Sequence, residues 1–568
     1  MLKTKIISSL EKAFCDQKID DFKSLEQISA LRGERLSLQF LFIDEGENAV
    51  PARVFGHLKF DGDLASYVTV REVRSVPVTM PTGNKTDDNY LRTTPGIYPD
   101  LLTDLRYRGL VTITRTLTSL WLEINIPDDF KGESELSVSL SYPNVKDCAF
   151  HKFDGTEEWK SVTQTIKIDV VDARIPENEI IFTQWFYCDC LANYYEVEVW
   201  SEEHWSIIEN FASEAVKYGR NMLLMPLFTP ALNTFPGFER TCTQLVDVTL
   251  NNGEYSFDFT KVRRWVEMCR RIGVKYHEIS HFYDQRQAKY SAKIYGTVDG
   301  EYKRIFGWET LALDPEYQRF LKALVPQFVE VMKELGEDDK CYYHISDEPS
   351  KENLDHYMSV KAVIAPMLKG YKIIDALSDI EFYESGAVEN PIPTTRDAMP
   401  FIEAKVKDLW VYYACNEIVN YSNSYLAMPG WRTRSLGMQL YKYGIAGFLH
   451  WGYNYYNNRG SGDAINPYTD LSGEFWVPAG DTFAVYPGFN GKPELSMRAI
   501  LLADAIADVN AMRLCEKYYC HDHIVKELEK ALGDTITFER CAYSSEEMLK
   551  VRETVNRMIK EATKKESK

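Results

Sequence analysis

The chain has 568 residues, of which 45% are hydrophobic, 13% aromatic and 26% charged, a composition ordinary for a globular protein apart from its aromatic content. The formal net charge of −19 argues against a general affinity for nucleic acid or anionic membranes, because both need clustered Lys and Arg. The length favours about two or three domains.

The amino-terminal segment MLKTKIISSLEKAF lacks the continuous apolar region of a secretory signal, and no later segment offers the ~18 uninterrupted apolar residues of a membrane span. The eleven cysteines are irregularly spaced, which favours reduced thiols over a disulfide framework. Cys188 and Cys190 fall in a strand-like run, where they would face opposite sides and could not share a metal. We therefore expect a soluble, cytoplasmic protein.

Residues 1–175 contain several segments in which apolar and polar positions alternate. These segments are RLSLQFLFID at 35–44, WLEINIP at 121–127, SELSVSLSY at 134–142 and QTIKIDVVDA at 164–173. Period-two alternation interrupted by Gly, Pro and Asp is typical of strands with one buried face. The pattern predicts an antiparallel β-sandwich domain over 1–175, without a cluster of catalytic residue types.

From residue 176 the pattern changes to apolar strands that alternate with amphipathic helices. Eight strands are predicted, at 180–189, 221–230, 274–282, 341–349, 372–380, 408–416, 446–454 and 482–490. Helices are predicted at 204–219, at 259–273, after Asp314, at 353–370, at 432–444 and at 494–516. Strands that are apolar throughout are expected in a parallel sheet covered on both faces. We therefore predict a (β/α)8 TIM-type barrel over 176–520, followed by a C-terminal helical extension over 521–568.

Two adjacent carboxylates stand at the end of the fourth predicted strand. In CYYHISDEPS, Asp347 and Glu348 follow the apolar run and Pro349 ends it. Strand alternation would send the two side chains to opposite faces, but Pro349 forces the chain out of the ladder, so both acids can reach the mouth of the barrel. Active sites of such barrels lie at the carboxyl ends of the strands. The alternative is that the two acids only cap the next helix.

Neighbouring carboxylates on one strand suit a particular glycosidase chemistry. Most glycosidases take an acid and a nucleophile from different strands. The predicted seventh strand, 446–454, offers no carboxylate, whereas other strand ends carry Asp189, Glu278, Asp284 and Asp379. With two neighbouring acids, the sugar's own 2-acetamido oxygen can attack the anomeric carbon, while one carboxylate stabilises the amide and the other protonates the leaving oxygen. Like charges so close would raise the pKa of one acid, as a general acid at neutral pH requires.

Several further motifs follow one another along the chain: TTPGIYPDLL, TQWFYCDCLANYY, LFTPALNTFPGFER, IFGWET, HISDEP, DALSD, LWVYYACN, HWGYN and YPGFNGKPELSMR. In this order they resemble the catalytic domain of glycoside hydrolase family 123 and its larger relatives. Characterised members combine a sandwich with a barrel and act as exo-β-N-acetylgalactosaminidases through an Asp-Glu pair. The resemblance implies that Asp347 positions the acetamido group and that Glu348 acts as acid and then as base. Two departures are present: HFYDQRQAKY lacks the Trp expected after Gln285, and ADAIADVNAM lacks the acidic and aromatic residues usual in relatives.

Four ring side chains are candidates for contact with the sugar. Trp185, Trp308 and Trp451 stand at predicted strand ends or in the loops that follow. Flat aromatic faces suit the apolar faces of sugars, although each ring could equally belong to the core. His281, at the end of the third predicted strand, is expected to bind or support the substrate rather than ligate a metal.

Polar candidates complete the predicted binding site. Arg240, in a loop rich in Pro and Gly, could donate hydrogen bonds to sugar hydroxyls, or could pair with Glu239 or Asp247. Tyr412 and Tyr413 are neighbours on one strand, so one of them is expected to point toward the acetamido group while the other packs against a helix.

Three functional hypotheses follow. The favoured one is a retaining exo-glycoside hydrolase that removes terminal β-linked N-acetylhexosamine from an oligosaccharide or glycoconjugate, with N-acetylgalactosamine as the first choice of sugar. In this hypothesis the sugar's 2-acetamido group is the nucleophile. The second is a glycosidase of other specificity that keeps Glu348 but uses a carboxylate from another strand, such as Glu278. The third is a non-catalytic carbohydrate-binding protein. No metal or other cofactor is expected, since the sequence contains neither a Gly-rich phosphate loop nor His-x-x-x-His, and the pattern does not indicate an oligomeric state.

Overall fold

The computed structural model describes residues 2–45, 54–105, 109–143, 158–285 and 287–566. Two facing β-sheets occupy the amino-terminal part of these residues. One sheet contains, in spatial order, Leu2–Ser8, Arg35–Asp44, Thr118–Asn125, Val68–Val78, Gly96–Asp104, Pro493–Ser496 and Val485–Pro487. The other contains Gln27–Arg32, Trp159–Arg174, Gly132–Pro143, Val54–Asp61 and Leu110–Ile113. The amino-terminal region is therefore β-rich, as the alternating segments predicted.

Strand directions in these two sheets are almost uniformly antiparallel. The exception is the pair Gln27–Arg32 and Trp159–Arg174, which run parallel. The other neighbouring strands pair antiparallel. Strand Arg35–Asp44 coincides with its predicted span of 35–44, because its alternating pattern is regular and its ends are marked by Gly33 and Asp44.

The sheet that contains Thr118–Asn125 is buried on both faces. Leu122 and its alternate neighbours join the core between the two sheets. Trp121 points the other way and joins the core of the carboxyl-terminal part. Glu123, only 1% exposed, accepts a hydrogen bond from the Tyr218 hydroxyl at 2.8 Å. This sheet is therefore the layer shared by the sandwich and the rest of the molecule.

Within the described residues, the segment 181–450 supplies eight parallel strands of a nearly closed barrel. We label them β1 (Ile181–Gln184), β2 (Met222–Met225), β3 (Tyr276–Ile279), β4 (Cys341–Tyr343), β5 (Lys372–Ala376), β6 (Asn390–Ile392), β7 (Trp410–Tyr412) and β8 (Gly447–His450). Hydrogen-bonded neighbours follow the order β6-β5-β4-β3-β2-β1-β8-β7. A parallel bridge between Thr394 and Tyr412 joins β6 to β7. Helices cover the outside, which explains why the strands are apolar throughout.

One of the predicted barrel strands is wrong, and one true barrel strand was missed. The true sixth strand, β6, was not predicted, because it is only three residues long and contains a proline. The segments predicted as strands six and seven are therefore β7 and β8. The predicted eighth strand, 482–490, supplies Val485–Pro487 to the sandwich sheet, where it pairs antiparallel with Pro493–Ser496. Its apolar character comes from its position between the sandwich and the barrel, where it is buried.

The helices of the described residues cover the barrel and close the chain. They are α1 (Cys188–Tyr195), α2 (Glu202–Lys217), α3 (Thr260–Ile272), α4 (Pro315–Glu334), α5 (Leu354–Ile364), α6 (Glu381–Glu384), α7 (Met399–Glu403), α8 (Gly430–Lys442), α9 (Met497–Cys515), α10 (His521–Leu532) and α11 (Ser545–Glu566). Helix α4 begins as predicted, because the Asp314 carboxylate accepts from the Glu316 amide at 2.8 Å and Pro315 occupies the first turn. In this part of the chain no helix has the length and apolar character needed to cross a bilayer.

The last helices connect the sandwich to the barrel. Helix α9 packs against α8, and α11 packs against α9, α10 and a sandwich strand. Arg552 of α11 pairs at 2.8 Å with Glu34 of the sandwich and at 2.9 Å with Asp508 of α9. The boundaries 176–520 and 521–568 stay a prediction, although residues 485–496 belong to a sandwich sheet.

None of the ten described cysteines forms a disulfide, and Cys148 lies outside the described residues. Cys188 and Cys190 lie in helix α1 rather than in a strand, because β1 already ends at Gln184. The prediction that they face opposite sides of a strand is therefore wrong.

A small four-stranded sheet projects from the barrel beside β2 and β3. Its strands, in spatial order, are Glu254–Asp258, Asp247–Asn251, Ile294–Val298 and Glu301–Phe306. It is inserted on both sides of β3 and carries Trp308 just beyond its last strand.

Candidate active site

Asp347 and Glu348 lie at the carboxyl end of β4. Pairing between the third and fourth barrel strands continues beyond the regular ladder, because the Phe282 amide donates to the His344 carbonyl at 3.3 Å and the Tyr283 amide donates to the Ile345 carbonyl at 3.1 Å. A parallel bridge then joins Gln285 to Asp347. The two acids therefore sit where the prediction put them, at the strand end and not in a helix cap.

Asp347 is buried and held by one neighbouring amide. Its side chain is 3% exposed, and its Oδ2 accepts a hydrogen bond from Gln285 Nε2 at 2.7 Å. Burial raises the pKa of Asp347 well above its usual value, and the neighbouring Glu348 carboxylate raises it further. His344 and the Gln285 hydrogen bond act in the opposite direction but do not cancel the effect.

Glu348 occupies an unusual backbone conformation. Its φ is +46°, in the left-handed region that residues other than Gly and Asn seldom adopt. The conformation is fixed by the Glu348 amide, which donates to the Ala376 carbonyl of β5 at 3.0 Å. It turns the half-buried carboxylate toward β7, where Glu348 Oε1 accepts a hydrogen bond from the Tyr412 hydroxyl at 2.8 Å. The chain therefore bends so that the two neighbouring acids have different hydrogen-bond partners.

A buried network of charged groups lies beneath the pair. His344 Nε2 is 2.8 Å from Glu278 Oε1, and His344 Nδ1 is 3.3 Å from Asp375 Oδ1. Although burial alone would lower the pKa of His344, the hydrogen bonds to Asp375 and Glu278 raise it to about 9. The imidazole is therefore charged at neutral pH. Tyr357 and the Ile345 amide also donate to Asp375, the latter at 3.0 Å.

Glu278 lies on β3 and was named in the sequence analysis as a possible nucleophile from another strand. Its carboxylate is entirely engaged by hydrogen bonds within this network. Besides His344, it accepts hydrogen bonds from Trp185 Nε1 at 2.7 Å and from Thr183 Oγ1 at 2.6 Å. Its side chain is 0% exposed. A carboxylate bound by three donors is held rigidly and is poorly placed to attack a substrate carbon.

His281 stacks on His344 with ring centroids 4.1 Å apart. Burial, and then the charge on His344, lower the pKa of His281 well below its usual value, so its ring is neutral. Among the described residues, His281, His344 and Asp375 bring ligand-type atoms within 4.8 Å of one another. Both nitrogens of His344 bond to carboxylates, whereas neither ring nitrogen of His281 has a hydrogen-bond partner among the described residues.

Two of the predicted tryptophans flank this network and the adjacent strand end. Trp185, 2% exposed, follows β1 and packs edge-on against His281 at 5.4 Å. Trp451, 8% exposed, follows β8, and its Nε1 donates to Asp481 Oδ2 at 2.9 Å. The Trp185 amide donates to the His450 carbonyl at 2.9 Å, so the two tryptophans stand on adjacent strand ends.

The two predicted tyrosines take the different positions expected of neighbours on a strand. Tyr412 is the one that reaches Glu348. Tyr413 is buried and packs against Phe448 at 5.0 Å and His450 at 5.3 Å. Burial raises the pKa of Tyr412 well above its usual value, and Glu348 adds to this effect, so its hydroxyl keeps its proton and remains a donor.

Arg240 is held by a buried ion pair. Its Nε and one terminal nitrogen contact the two Asp189 oxygens at 2.8 and 2.5 Å, and both side chains are at most 2% exposed. Although burial opposes the charge, Asp189 raises the pKa of Arg240. Neither predicted alternative partner is used, since Glu239 pairs with Arg304 and Asp247 with Lys261. The pair clamps the loop after β2 onto helix α1.

Trp308 lies at the outer rim of the barrel mouth. It is half-buried, its Nε1 donates to the Phe238 carbonyl at 2.9 Å, and its ring meets Tyr290 edge-on at 5.9 Å. A small cavity of about 30 Å³ lies between Trp308 and the loop that carries Arg240. Arg286, which stands where the family resemblance led us to expect a Trp, lies outside the described residues.

The remaining strand-end carboxylates are bound by nearby backbone. Asp284 accepts from the Tyr290 amide at 2.7 Å, and burial raises its pKa to about 6. Asp379 accepts from the Lys351 amide at 2.8 Å. Neither contact involves Asp347 or Glu348.

Glu417 is a carboxylate that the sequence analysis missed. It follows β7, the strand that was predicted as the sixth. The segment 446–454 lacks a carboxylate, as its sequence shows, but it contains β8, and the true seventh strand is followed by Glu417. Glu417 is 0% exposed and accepts from the Ala414 amide at 2.8 Å, while Arg396 lies 3.8 Å from its other oxygen. Burial raises the pKa of Glu417 to about 7.

Gln285, Asp375 and Asp481 were also missed as site residues. Each acts by orienting another side chain, and such pairings join segments that are far apart in sequence. The only available signal was position, because Gln285 and Asp375 stand at or just beyond barrel strands and Asp375 lies in DALSD, one of the motifs that carry the family resemblance.

Comparisons with known proteins identify the family of the chain. The family model described as "Glycoside hydrolase 123, catalytic domain" matches residues 185–515, which is more than half of the chain. A family 123 glycoside hydrolase from Clostridium perfringens superimposes with a TM-score of 0.73 and 13% identity, with 100% of each chain covered. A putative beta-galactosidase from Bacteroides fragilis has a TM-score of 0.29 and 11% identity over 84% of this chain and 58% of its own. No functionally curated protein matches the chain.

The matched region begins at Trp185, immediately after β1, and ends at Cys515, the last residue of α9. It therefore contains the Asp347–Glu348 strand end, the buried network and both flanking tryptophans. At 13% identity the similarity to the Clostridium perfringens structure establishes the fold alone, and the family assignment rests on the match over residues 185–515. The chain belongs to glycoside hydrolase family 123 and is a glycoside hydrolase.

Proposed function

We propose that the protein is a retaining exo-glycoside hydrolase that removes terminal β-linked N-acetylhexosamine through the substrate's own 2-acetamido group. The preferred sugar in this proposal is N-acetylgalactosamine. The observation that carries the proposal is the pair Asp347 and Glu348, adjacent in sequence, at the end of one barrel strand, and bound to different partners. A two-carboxylate mechanism takes its acid and its nucleophile or base from opposite sides of the scissile bond, whereas these two acids are consecutive residues of one strand end.

In the first step the acetamido oxygen attacks the anomeric carbon while the bond to the leaving oxygen breaks. Glu348, oriented by Tyr412, gives its proton to the leaving oxygen. Asp347, oriented by Gln285, accepts a hydrogen bond from the acetamido N–H as positive charge develops there, and its buried setting strengthens that interaction. The product of this step is a bicyclic oxazolinium ion whose N–H stays hydrogen-bonded to the Asp347 carboxylate.

In the second step water opens the ring. Glu348, now a carboxylate, takes a proton from the water, whose oxygen bonds to the anomeric carbon as the bond to the acetamido oxygen breaks. Two inversions at the same carbon give net retention. No protein nucleophile is required, which agrees with the complete hydrogen bonding of Glu278.

In the free protein, burial and then the neighbouring Glu348 carboxylate raise the pKa of Asp347, so Asp347 holds a proton more tightly than an isolated carboxyl would. Substrate binding brings an N–H donor to Asp347, which favours the ionised form that the proposed role requires. The charged His344 underneath offsets part of the accumulated negative charge.

We further propose that the substrate glycan is carried on a glycolipid or a similar conjugate. The Clostridium perfringens relative was described in work on glycolipid glycan hydrolysis. In this chain three phenylalanines of loops beyond the barrel strands are well exposed, namely Phe235 at 43%, Phe238 at 47% and Phe475 at 69%. Phe475 is adjacent to Trp476, which packs against Trp451 at 5.4 Å. Exposed rings beside the site favour an aglycone with an apolar part.

One observation favours the second hypothesis, a double displacement by a protein carboxylate. Glu417 lies beyond β7, and one of its oxygens makes no hydrogen bond within the described residues. Its pKa of about 7 and its complete burial weigh against it, because a nucleophile must be ionised and must reach the anomeric carbon. Substrate assistance is therefore the better explanation.

A panel of aryl glycosides tests the proposal. The protein should cleave the β-N-acetylgalactosaminide fastest, should release the β-anomer of the sugar first, and should scarcely cleave the corresponding β-galactoside. A preference for a sugar with a 2-hydroxyl group would overturn the substrate-assisted mechanism. Binding of glycans without any turnover would support the third hypothesis instead.

A further inference from the structure

A chain of buried polar contacts runs from the sandwich to Trp451. It begins at Asp100 in strand Gly96–Asp104, which is 0% exposed. Both Asp100 oxygens contact Arg498 of helix α9, each at 3.0 Å, and the Tyr486 hydroxyl donates to Asp100 Oδ2 at 2.6 Å. A carboxylate and a guanidinium buried together in this geometry hold each other in one orientation.

Arg498 passes this orientation to a loop of the barrel. Its remaining terminal nitrogen donates to the Gly480 carbonyl at 2.7 Å and to the Phe483 carbonyl at 2.9 Å. The loop can approach because Gly480 has φ +107° and has no Cβ, which would otherwise lie 3.1 Å from the guanidinium. Asp481 is therefore held between two residues whose carbonyls are fixed by the same side chain.

Asp481 in turn fixes the tryptophan. Its Oδ2 accepts from Trp451 Nε1 at 2.9 Å, and its Oδ1 lies 3.7 Å from His450 Nε2. Trp451 follows β8 at the carboxyl ends of the barrel strands, where the Asp347–Glu348 pair also lies, and its neighbour His450 accepts a hydrogen bond from the Trp185 amide at 2.9 Å.

We propose that Asp100 and Arg498 position Trp451 for substrate binding through Asp481. A residue of the sandwich would thus help to shape the site. The inference rests on the proposed function in one respect, namely that Trp451 contacts the sugar. Asp100, Arg498 and Asp481 are positioning residues, since none of them is placed against the substrate. Their shared effect is to keep one indole ring in one orientation at the strand end.

The test uses full-length protein labelled with 5-fluorotryptophan and read by fluorine NMR. The Trp451 resonance is assigned by its absence from Trp451→Phe. In Asp481→Leu, which removes the acceptor without adding bulk, this resonance should shift or broaden. Asp481→Asn keeps an oxygen acceptor and should restore it. Asp100→Asn should also move it, although Asp100 does not touch the indole.

Asp104→Asn is the matched control, because Asp104 ends the same strand and its side chain is 89% exposed. It should leave the Trp451 resonance unchanged. Arg498→Lys, which keeps the charge but loses the fixed fork of donors, replaces Asp100→Asn if that variant does not fold. An unmoved Trp451 resonance in Asp481→Leu, or in every folded variant of the Asp100–Arg498 pair, would overturn the proposal whether or not the protein is active.

Kinetics separate this inference from the proposed function. On the glycoside that the wild type cleaves fastest, Asp481→Leu should raise KM by about two- to tenfold, the range expected for one lost hydrogen bond, with a smaller change in kcat. Asp481→Asn should recover most of that loss. If the wild type cleaves no glycoside, the proposed function fails while the NMR result still decides the positioning role. Loss of kcat alone, with KM unchanged, would contradict a role in binding.

Discussion

The Tyr412 hydroxyl donates a hydrogen bond to Glu348 Oε1 across 2.8 Å, from the end of β7 to the end of β4. Glu348 reaches this donor because its backbone adopts φ +46°. Tyr412→Phe removes the donor and leaves the ring, so we expect kcat to fall by about 10- to 100-fold, as for other hydrogen bonds to charged groups. Steady-state kinetics check this result. Tyr413→Phe is the control, since that ring packs on Phe448 and His450, and an equal loss in both variants would contradict an orienting role.

Replacing Glu348 should reduce activity to an extent that depends on the leaving group, whereas replacing Asp347 should reduce activity on both kinds of substrate. Glu348→Gln should lower turnover of a natural glycoside by about 10²- to 10⁴-fold but largely spare an activated aryl glycoside, whose departure needs little proton donation. Asp347→Asn should lower turnover of both by about 10²- to 10³-fold, because a neutral amide stabilises the developing positive charge less well. Comparison of the two substrates for each variant measures the difference. If Glu348→Gln lowered the turnover of both substrates equally, Glu348 could not be the acid.

His344 should make stability fall at alkaline pH. Its pKa is raised to about 9 in the folded protein from an ordinary value of about 6.5, so its contribution is complete below about pH 6.5 and is lost as the pH rises through about 9. The shift corresponds to roughly 3 kcal/mol at most. Denaturant unfolding of the wild type and of His344→Gln across this range isolates the effect, since other titrating groups are common to both. Parallel pH profiles of the two proteins would mean that His344 is not charged in the fold.

Arg240 should affect stability more than sugar binding. Replacing either Asp189 or Arg240 alone leaves an unpaired buried charge, which costs about 3–5 kcal/mol in comparable pairs. The double replacement Asp189→Leu with Arg240→Met should therefore be less destabilising than either single change. Denaturant unfolding of the three variants tests this order. A folded, equally stable Asp189→Asn with a raised KM would instead favour direct contact between Arg240 and the substrate.

The sequence predicts those parts of this molecule that are determined by local pattern. Arg35–Asp44 was placed within its bounds because its alternation is regular, and α4 because Asp314 and Pro315 mark its first turn. Strand β6 was missed because three residues around a proline carry no periodicity. Residues 482–490 were misassigned because an apolar run looks the same whether it is covered by barrel helices or by a sandwich.

The site shows the same division between local and distant information. The adjacent acids and the flanking tryptophans could be recognised from their position after predicted strands. The partners that orient them could not, since Gln285 and Asp347 are joined only when β3 and β4 pair. Glu417 was missed for a related reason, because the misplaced strands shifted the count and hid the carboxylate that follows β7. Contacts of this kind depend on the register of distant strands, which composition and periodicity do not report.

The final prediction concerns the nucleophile. If the 2-acetamido oxygen attacks the anomeric carbon, a substrate with a plain 2-hydroxyl group lacks the attacking atom, and a thiazoline analogue of the bicyclic intermediate should inhibit competitively. Glu417→Gln, which keeps the shape of the buried side chain, should then retain activity within a few fold. A carboxylate nucleophile gives the opposite pattern: Glu417→Gln would be inactive, and a 2-fluoro glycoside would label an Asp or Glu covalently, as peptide mass spectrometry would detect. Because Glu417 is buried, with a pKa of about 7, and Glu278 is bound by three donors, we expect the acetamido group to be the nucleophile and both carboxylates to stay unlabelled.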